Sequence, residues 1–277
     1  MPLSNIQIDI LRILASHRDP ESYVAGATPL NRTGPRSSSD IDVFHDREDR
    51  VASAALMDAE TLQQSGYRVV WLRQLPLLYA AEVSHAGADT RLEWLADNDF
   101  RFFPAIRDDT FGYVLHPVDL GLNKIMAAAG RREVRDLVDL VTIHETILPL
   151  GGLIWAAVEK SPGFTPEGLI AEIRRNANFP LAEWRALATS QPLDPQLVTA
   201  RLRAALDDAE AFVTSMPTGK LGLLFLQGAA VVQPDPARLD IYRTHTGQRR
   251  GQWPSSPEIT AAMFEAAASK RDHPIPH

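Results

Sequence analysis

Along the first 145 residues the spacing of apolar positions switches repeatedly between helical and strand periods. Residues 4 to 17 carry Ile6, Ile10, Leu11, Ile13 and Leu14 on one helical stripe behind Ser4, a hydroxyl suited to capping the first turn. "SYVAG" is a short strand that runs into a glycine turn, and "TPLNR" opens a helix with Pro29 tolerated in its first turn. "DIDVF" alternates as a strand does. Residues 48 to 65 return to helical spacing and stop near Gly66. "YRVVWL", "LLYAAEVSH" and "TRLEWLA" then read as three strands, and "FGYVL" as one more. After His116-Pro117 the period is helical to about Glu145, with Gly130 as the place where the stretch divides if it divides at all.

From residue 150 the pattern changes. "LPLGG" reads as a linker, and residues 166 to 214 as mostly helix interrupted by "NFP" and "QPLDP". "LGLLFLQGAAVVQ" suits a hairpin or a buried helix. Residues 232 to 256 are rich in Pro, Gly and polar residues, and "SSPEITAAMFEAAASK" has a helix-start signal. The expected division is 1–148, with strands and helices, and 149–277, mainly helical. The expected fold class is α+β.

Composition narrows the class. An apolar content of 45% in 277 residues supports a sizeable core. A net charge of −7 argues against a chain coated in positive charge, while leaving room for a local basic groove. There is no cysteine, hence no disulfide and no thiolate metal site. No apolar run reaches the length of a membrane span, and the first residues lack a signal-peptide core. The expectation is a cytoplasmic protein with no membrane partner. The eight histidines show no zinc-like spacing, which leaves His116 and His144 to structural roles, and Trp71, Trp94, Trp155 and Trp184 suit a core.

The chemistry lies in "GATPLNRTGPRSSSDIDVF", residues 26 to 44. Asp40 and Asp42 stand two apart on a strand, so both point to one face. Two like charges held there repel unless something positive sits between them, and a hard divalent cation supplies it. Upstream, Gly26 allows close backbone approach to a ligand, and the N–H groups that open the next helix suit phosphate. Thr28 adds a hydroxyl. Taken alone, each feature is also compatible with an ordinary turn or a solvated strand end.

Residues 118 to 145, read as one helix, put Lys124, Arg131, Arg135 and Asp139 in one narrow sector. Two or three cations on a stripe suit a triphosphate, with Asp136 or Asp139 orienting the arginines. A solvated face with i,i+4 ion pairs is the alternative.

Together, "GATPL…RSSSDIDVF" and "NKIMAAAGRREVRDLVDL" resemble the two motifs of the polymerase-β-like nucleotidyltransferases, in the branch that includes AbiEii/AbiGii-type toxins. The resemblance covers about residues 20 to 145. It implies a nucleotidyltransferase domain with a mixed sheet flanked by helices over 1–148, and acceptor or partner binding in 149–277. It implies Mg²⁺, with Mn²⁺ as the alternative, on Asp40 and Asp42. A third carboxylate on a neighbouring strand, which binds metal or accepts the acceptor hydroxyl's proton, is part of the pattern, and Glu93 in "TRLEWLA" is the best placed for it. The resemblance gives Gly26, Ala27, Thr28, Ser38, Arg131, Arg135 and Asp136 to nucleotide binding and Lys124 to the triphosphate. Ala27 departs from the Gly or Ser of the family; backbone donors survive the change and a serine hydroxyl does not.

The function so implied is transfer of an NMP group from an NTP to a hydroxyl, on a tRNA 3′ end, a protein or a small molecule, by a toxin with a cognate antitoxin. A catalytically impaired, partner-binding member of the same fold is the alternative. A glycosyltransferase D-x-D would follow a longer Rossmann-like region, and here the pair arrives by residue 40.

Overall fold

The computed structural model describes residues 3–248 except 33, 99, 162 and 191. The chain enters through α1 (Asn5–Leu14), capped reciprocally: the Ser4 hydroxyl accepts from the Gln7 N–H, and the Gln7 side chain accepts from the Ser4 N–H. Its apolar stripe and that of α3 (Glu48–Gln64) cover one face of a seven-stranded mixed sheet. The strands are β1 (Ser22–Ala25), β2 (Asp40–His45), β3 (Arg68–Leu75), β4 (Leu78–His85), β5 (Ala88–Ala96), β6 (Ile106–Asp108) and β7 (Gly112–Val114), in the order β3-β4-β5-β2-β1-β7-β6. Between β1 and β2 lies a one-turn helix, α2 (Ala27–Leu30). β2 runs antiparallel to β1 and parallel to β5, in the middle of the sheet.

The stretch after His116 is two helices, α4 (Pro117–Gly130) and α5 (Val134–Thr146), rather than one. The chain leaves α4 at Gly130 and Arg131 is extended, so the single-stripe geometry does not form. The helices instead converge. The expected linker at "LPLGG" is also not one: α6 (Leu150–Lys160) starts at Leu150, and Gly151 and Gly152 lie inside it, buried. A Cβ on Gly151 would stand 2.9 Å from the Phe212 ring and 2.7 Å from the Gln233 amide oxygen, so the glycines permit close packing there. α7 (Pro166–Asn176), α8 (Leu181–Arg185) and α9 (Pro195–Ser215) complete the α-helices among the described residues. The "LGLLFLQGAAVVQ" segment is a hairpin, β8 (Leu224–Gln227) and β9 (Ala230–Val232), joined by β10 (Arg243–His245). The helix expected at 255–270 lies outside the described residues.

Two main cores result. One lies between the sheet and α1/α3, around Trp94, Leu92, Ile41 and Val43. The other joins α4 and α5 to α6, α7 and α9, around Leu122, Ile125, Leu140 and Ile154. Among the described residues no single helix is long and apolar enough to cross a membrane.

Candidate active site

The alternation along β2 is visible in its burial: Ile41, Val43 and His45 face the α1/α3 core, and Asp40, Asp42 and Phe44 face the other way. Register does the rest. Asp42 is paired with Glu93 on β5 and with Ala25 on β1, and Asp40 with Arg91. Three carboxylates, Asp40, Asp42 and Glu93, therefore share one face of adjacent strands.

Gly26 closes the upper end. It has φ +70, a conformation that favours glycine, and a Cβ there would fall 2.1 Å from Asp42 Oδ2. The turn's backbone is thus laid directly on the Asp42 carboxylate. Thr28 and Ser38 stand behind the cavity wall rather than on it. Both hydroxyls donate to the Asp40 carbonyl, at 2.7 and 2.9 Å, and both side chains are buried. They fix the strand where the aspartates begin.

α4 and α5 bring the cations. Asp136 and Asp139 are both fully buried at the start and middle of α5. Asp136 accepts from Arg131 at 2.8 and 3.0 Å and from Lys124 at 3.3 Å. Asp139 accepts two parallel bonds from Arg36, each 2.7 Å, and one from the Asn31 amide at 3.3 Å, and pairs with Lys124 at 2.7 Å. Burial acts to raise the Asp139 carboxyl, but Lys124 and then Arg36 hold it below the usual carboxylate range. Asp136 is therefore a support for Lys124 and Arg131 and does not reach the cavity. Arg135 is held more loosely, by Glu133 at 3.7 Å, and its Nε has no hydrogen-bond partner among the described residues.

These parts line a cleft of about 250 Å³. Gly26 and Ala27 line one end, Asp40, Asp42 and Glu93 the sheet wall, and Arg36, Lys124, Arg131 and Arg135 the helical wall. Phe44, Leu95, Leu120 and Asn123 complete it. The electrostatics are unbalanced at the acidic wall. Burial first, then the charges of Asp40 and Glu93, push the Asp42 carboxyl up to about 7, and Lys124 and Arg135 only partly offset them.

Of the residues singled out from sequence, Gly26, Ala27, Asp40, Asp42, Glu93, Lys124, Arg131 and Arg135 meet at this cleft, and Thr28, Ser38 and Asp136 lie behind it. Phe44 and Leu95 are additions. Each stands two residues beyond an acid already singled out, so strand alternation points to both. Arg36 as the bidentate partner of Asp139 has no local signal, being 103 residues away in sequence.

An elevated carboxyl beside two further acids is a site short of positive charge. Mg²⁺ binds through one or two carboxylates with phosphates completing its shell, and Asp40 and Asp42 match that donor set. Among the described residues, no three acidic or histidine side chains already stand in metal-ligand geometry. Glu93 is instead in contact with the Arg91 guanidinium.

No family model matches the chain, and no curated protein matches it in sequence. Among solved structures it is similar to MenT4, a nucleotidyltransferase toxin from Mycobacterium tuberculosis H37Rv, with 18% identity over 77% of this chain and 83% of that one and a TM-score of 0.55. It is also similar to JHP933 from Helicobacter pylori, with 14% identity over 76% of this chain and 95% of that one and a TM-score of 0.46. At this level of identity the likeness to MenT4 concerns the fold alone, a mixed α+β fold with a mixed sheet flanked by helices.

Proposed function

We propose that this protein is a metal-dependent nucleotidyltransferase that moves an NMP group from an NTP to a hydroxyl acceptor. One observation carries the reading: an acidic wall of Asp40, Asp42 and Glu93 stands across a single cleft from Lys124, Arg131 and Arg135, with the Gly26 turn at its end. In this reading residues 1–148 carry the chemistry.

Mg²⁺, or Mn²⁺ in its place, held by Asp40 and Asp42, supplies charge neutralisation at the α-phosphate and the attacking oxygen. The Gly26 and Ala27 backbone and Arg135 bind the β- and γ-phosphates. Lys124 and Arg131, fixed from behind by Asp136 and Asp139, offset charge as pyrophosphate leaves. The acceptor oxygen bonds to the α-phosphorus, the α–β bridging bond breaks, and Glu93 takes the hydroxyl proton. Phe44, Leu95 and Leu120 give the base an apolar seat, as ligand clefts commonly do.

The AbiEii/AbiGii-type motifs and the fold shared with a toxin support a toxin role, with a tRNA 3′ end as the acceptor and a cognate antitoxin as partner. The contact between Glu93 and Arg91 favours one rival, a partner-binding member of the fold that keeps nucleotide and has lost turnover. Incubation with each labelled NTP, Mg²⁺ and total RNA separates them. Label in RNA that disappears with Asp42→Ala supports the enzyme; nucleotide bound without transfer to any acceptor supports the rival.

A further inference from the structure

The stripe of α4 that faces the cleft carries Leu120, Asn123, Lys124 and Ala127. At about 100° per residue these four share one sector of the helix, with Lys124 at one edge and Asn123 at the other. Lys124 stands at the edge towards α5, where Asp136 and Asp139 pair with it at 3.3 and 2.7 Å. Asn123 stands at the edge away from those acids. Its side chain is half-buried, and among the described residues its amide makes no hydrogen bond. Every other polar side chain on the cleft wall is charged.

The wall divides by chemistry. Arg36 and Lys124 meet on Asp139, and Arg131 on Asp136, which collects the cations towards α5. Phe44, Leu95 and Leu120 form an apolar end: Phe44 packs in the cluster that holds Leu120, and Leu95 is the β5 partner of Phe44. Asn123 borders this apolar end, one helical turn beyond Leu120. The turn that presents it is held in place. Asp119, fully buried, accepts the N–H groups of Phe102 and Phe103 at 2.8 and 2.9 Å, and His116 Nδ1 accepts the Val118 N–H at 3.2 Å. A free amide on a fixed helix turn, beside an apolar wall, is how a ligand cleft orients what it binds.

We propose, resting on the nucleotidyltransferase reading, that Asn123 reads the base of the NTP. Its amide hydrogen-bonds the Watson–Crick edge, while Phe44, Leu95 and Leu120 take the ring. An asparagine offers a donor and an acceptor side by side. Each of the four bases presents a neighbouring N–H and acceptor on that edge, so the amide, turned one way or the other, orients any of them. The ribose is a poorer partner for Asn123. It stands between the base and the α-phosphate, and so lies nearer Asp40 and Asp42. The cleft therefore holds a nucleoside triphosphate by its base as well as by its phosphates, and a bare polyphosphate is a weaker ligand.

The test is calorimetric titration of the full chain, in Mg²⁺, with the α,β-methylene analogues of all four NTPs and with tripolyphosphate. Asn123→Leu keeps the bulk and removes both hydrogen-bonding groups. It is expected to weaken all four analogues by about tenfold and to leave tripolyphosphate unchanged. Asn123→Asp presents two acceptors, and guanine alone offers two adjacent N–H donors on this edge, at N1 and N2. The affinity for the GTP analogue relative to the other three should rise by about tenfold over the wild-type ratio. The added charge weakens every analogue in common and cancels in that ratio. A ratio unchanged by Asn123→Asp, or tripolyphosphate weakened by Asn123→Leu as much as the analogues are, overturns the proposal and leaves the nucleotidyltransferase reading in place. A wild type that binds neither the analogues nor tripolyphosphate defeats both.

Discussion

Gly26 lies so close to Asp42 that a side chain on the first would collide with the carboxylate of the second: its Cβ would sit 2.1 Å from Asp42 Oδ2. Positive φ at Gly26 makes the same substitution strained for a second reason. The turn and the acid are one unit, and each fixes the other's place in the cleft.

Gly26→Ala should therefore lower stability by about 1–3 kcal/mol, from backbone strain and the clash together. Because the carboxylate must move, Mg·NTP affinity should fall by more than the loss of stability alone explains. Urea denaturation and nucleotide titration of the same preparation check both. A variant that binds nucleotide like the wild type would separate the turn from the acid.

Asp42 sets a pH dependence of definite sign. Its carboxyl titrates near 7 in the fold and near 3.8 as a free aspartate. Below pH 3.8 both states hold the proton and the folded chain bears no penalty. As pH rises towards 7 the unfolded state has released its proton while the folded state retains it, so stability falls, and above 7 the full penalty applies. Asp42→Asn removes the charge with little change of shape. In EDTA it should be more stable than the wild type at pH 8, by at least about 1 kcal/mol, and nearly equal to it at pH 4. Denaturation at the two pH values measures this, and a difference that does not change with pH would contradict it.

Asp139 contributes with the opposite sign. Its carboxyl is held below the usual range by Lys124 and Arg36, so its share of stability is present above pH 3.8 and lost as pH falls through its lower folded value. Replacing it with Asn leaves Arg36 and Lys124 buried with too little negative charge. The expected cost is about 3–5 kcal/mol, as for breaking a buried pair from one side. Chemical denaturation at neutral pH reads it directly. The loss should appear without nucleotide or metal, which marks Asp139 as a support for the cationic wall.

What the sequence shows about this site is what period and register encode. Alternation in "DIDVF" places Asp40 and Asp42 on one face, and the same rule in "TRLEWLA" puts Glu93 on the corresponding face of the neighbouring strand. Residues that act through tertiary packing are not visible in this way. Nothing near Arg36 announces a partner on α5. Gly151 looks like a linker glycine until Phe212 of α9 is seen packed against it. The turn after Gly130 breaks a stretch whose residues, Arg131 to Arg135, otherwise suit a helix, and Arg131 folds back onto Asp136.

The central claim is that Asp40 and Asp42 gather a metal-bound nucleotide beneath the Gly26 turn, opposite Lys124. Crystals grown with a non-hydrolysable nucleoside triphosphate and Mn²⁺ test it through the anomalous signal of the ion. The account predicts a peak within about 2.1–2.3 Å of carboxylate oxygens from both Asp40 and Asp42, with the β- and γ-phosphates towards Ala27, Lys124 and Arg135. An ion or nucleotide bound elsewhere, with these two aspartates free of both, would contradict it.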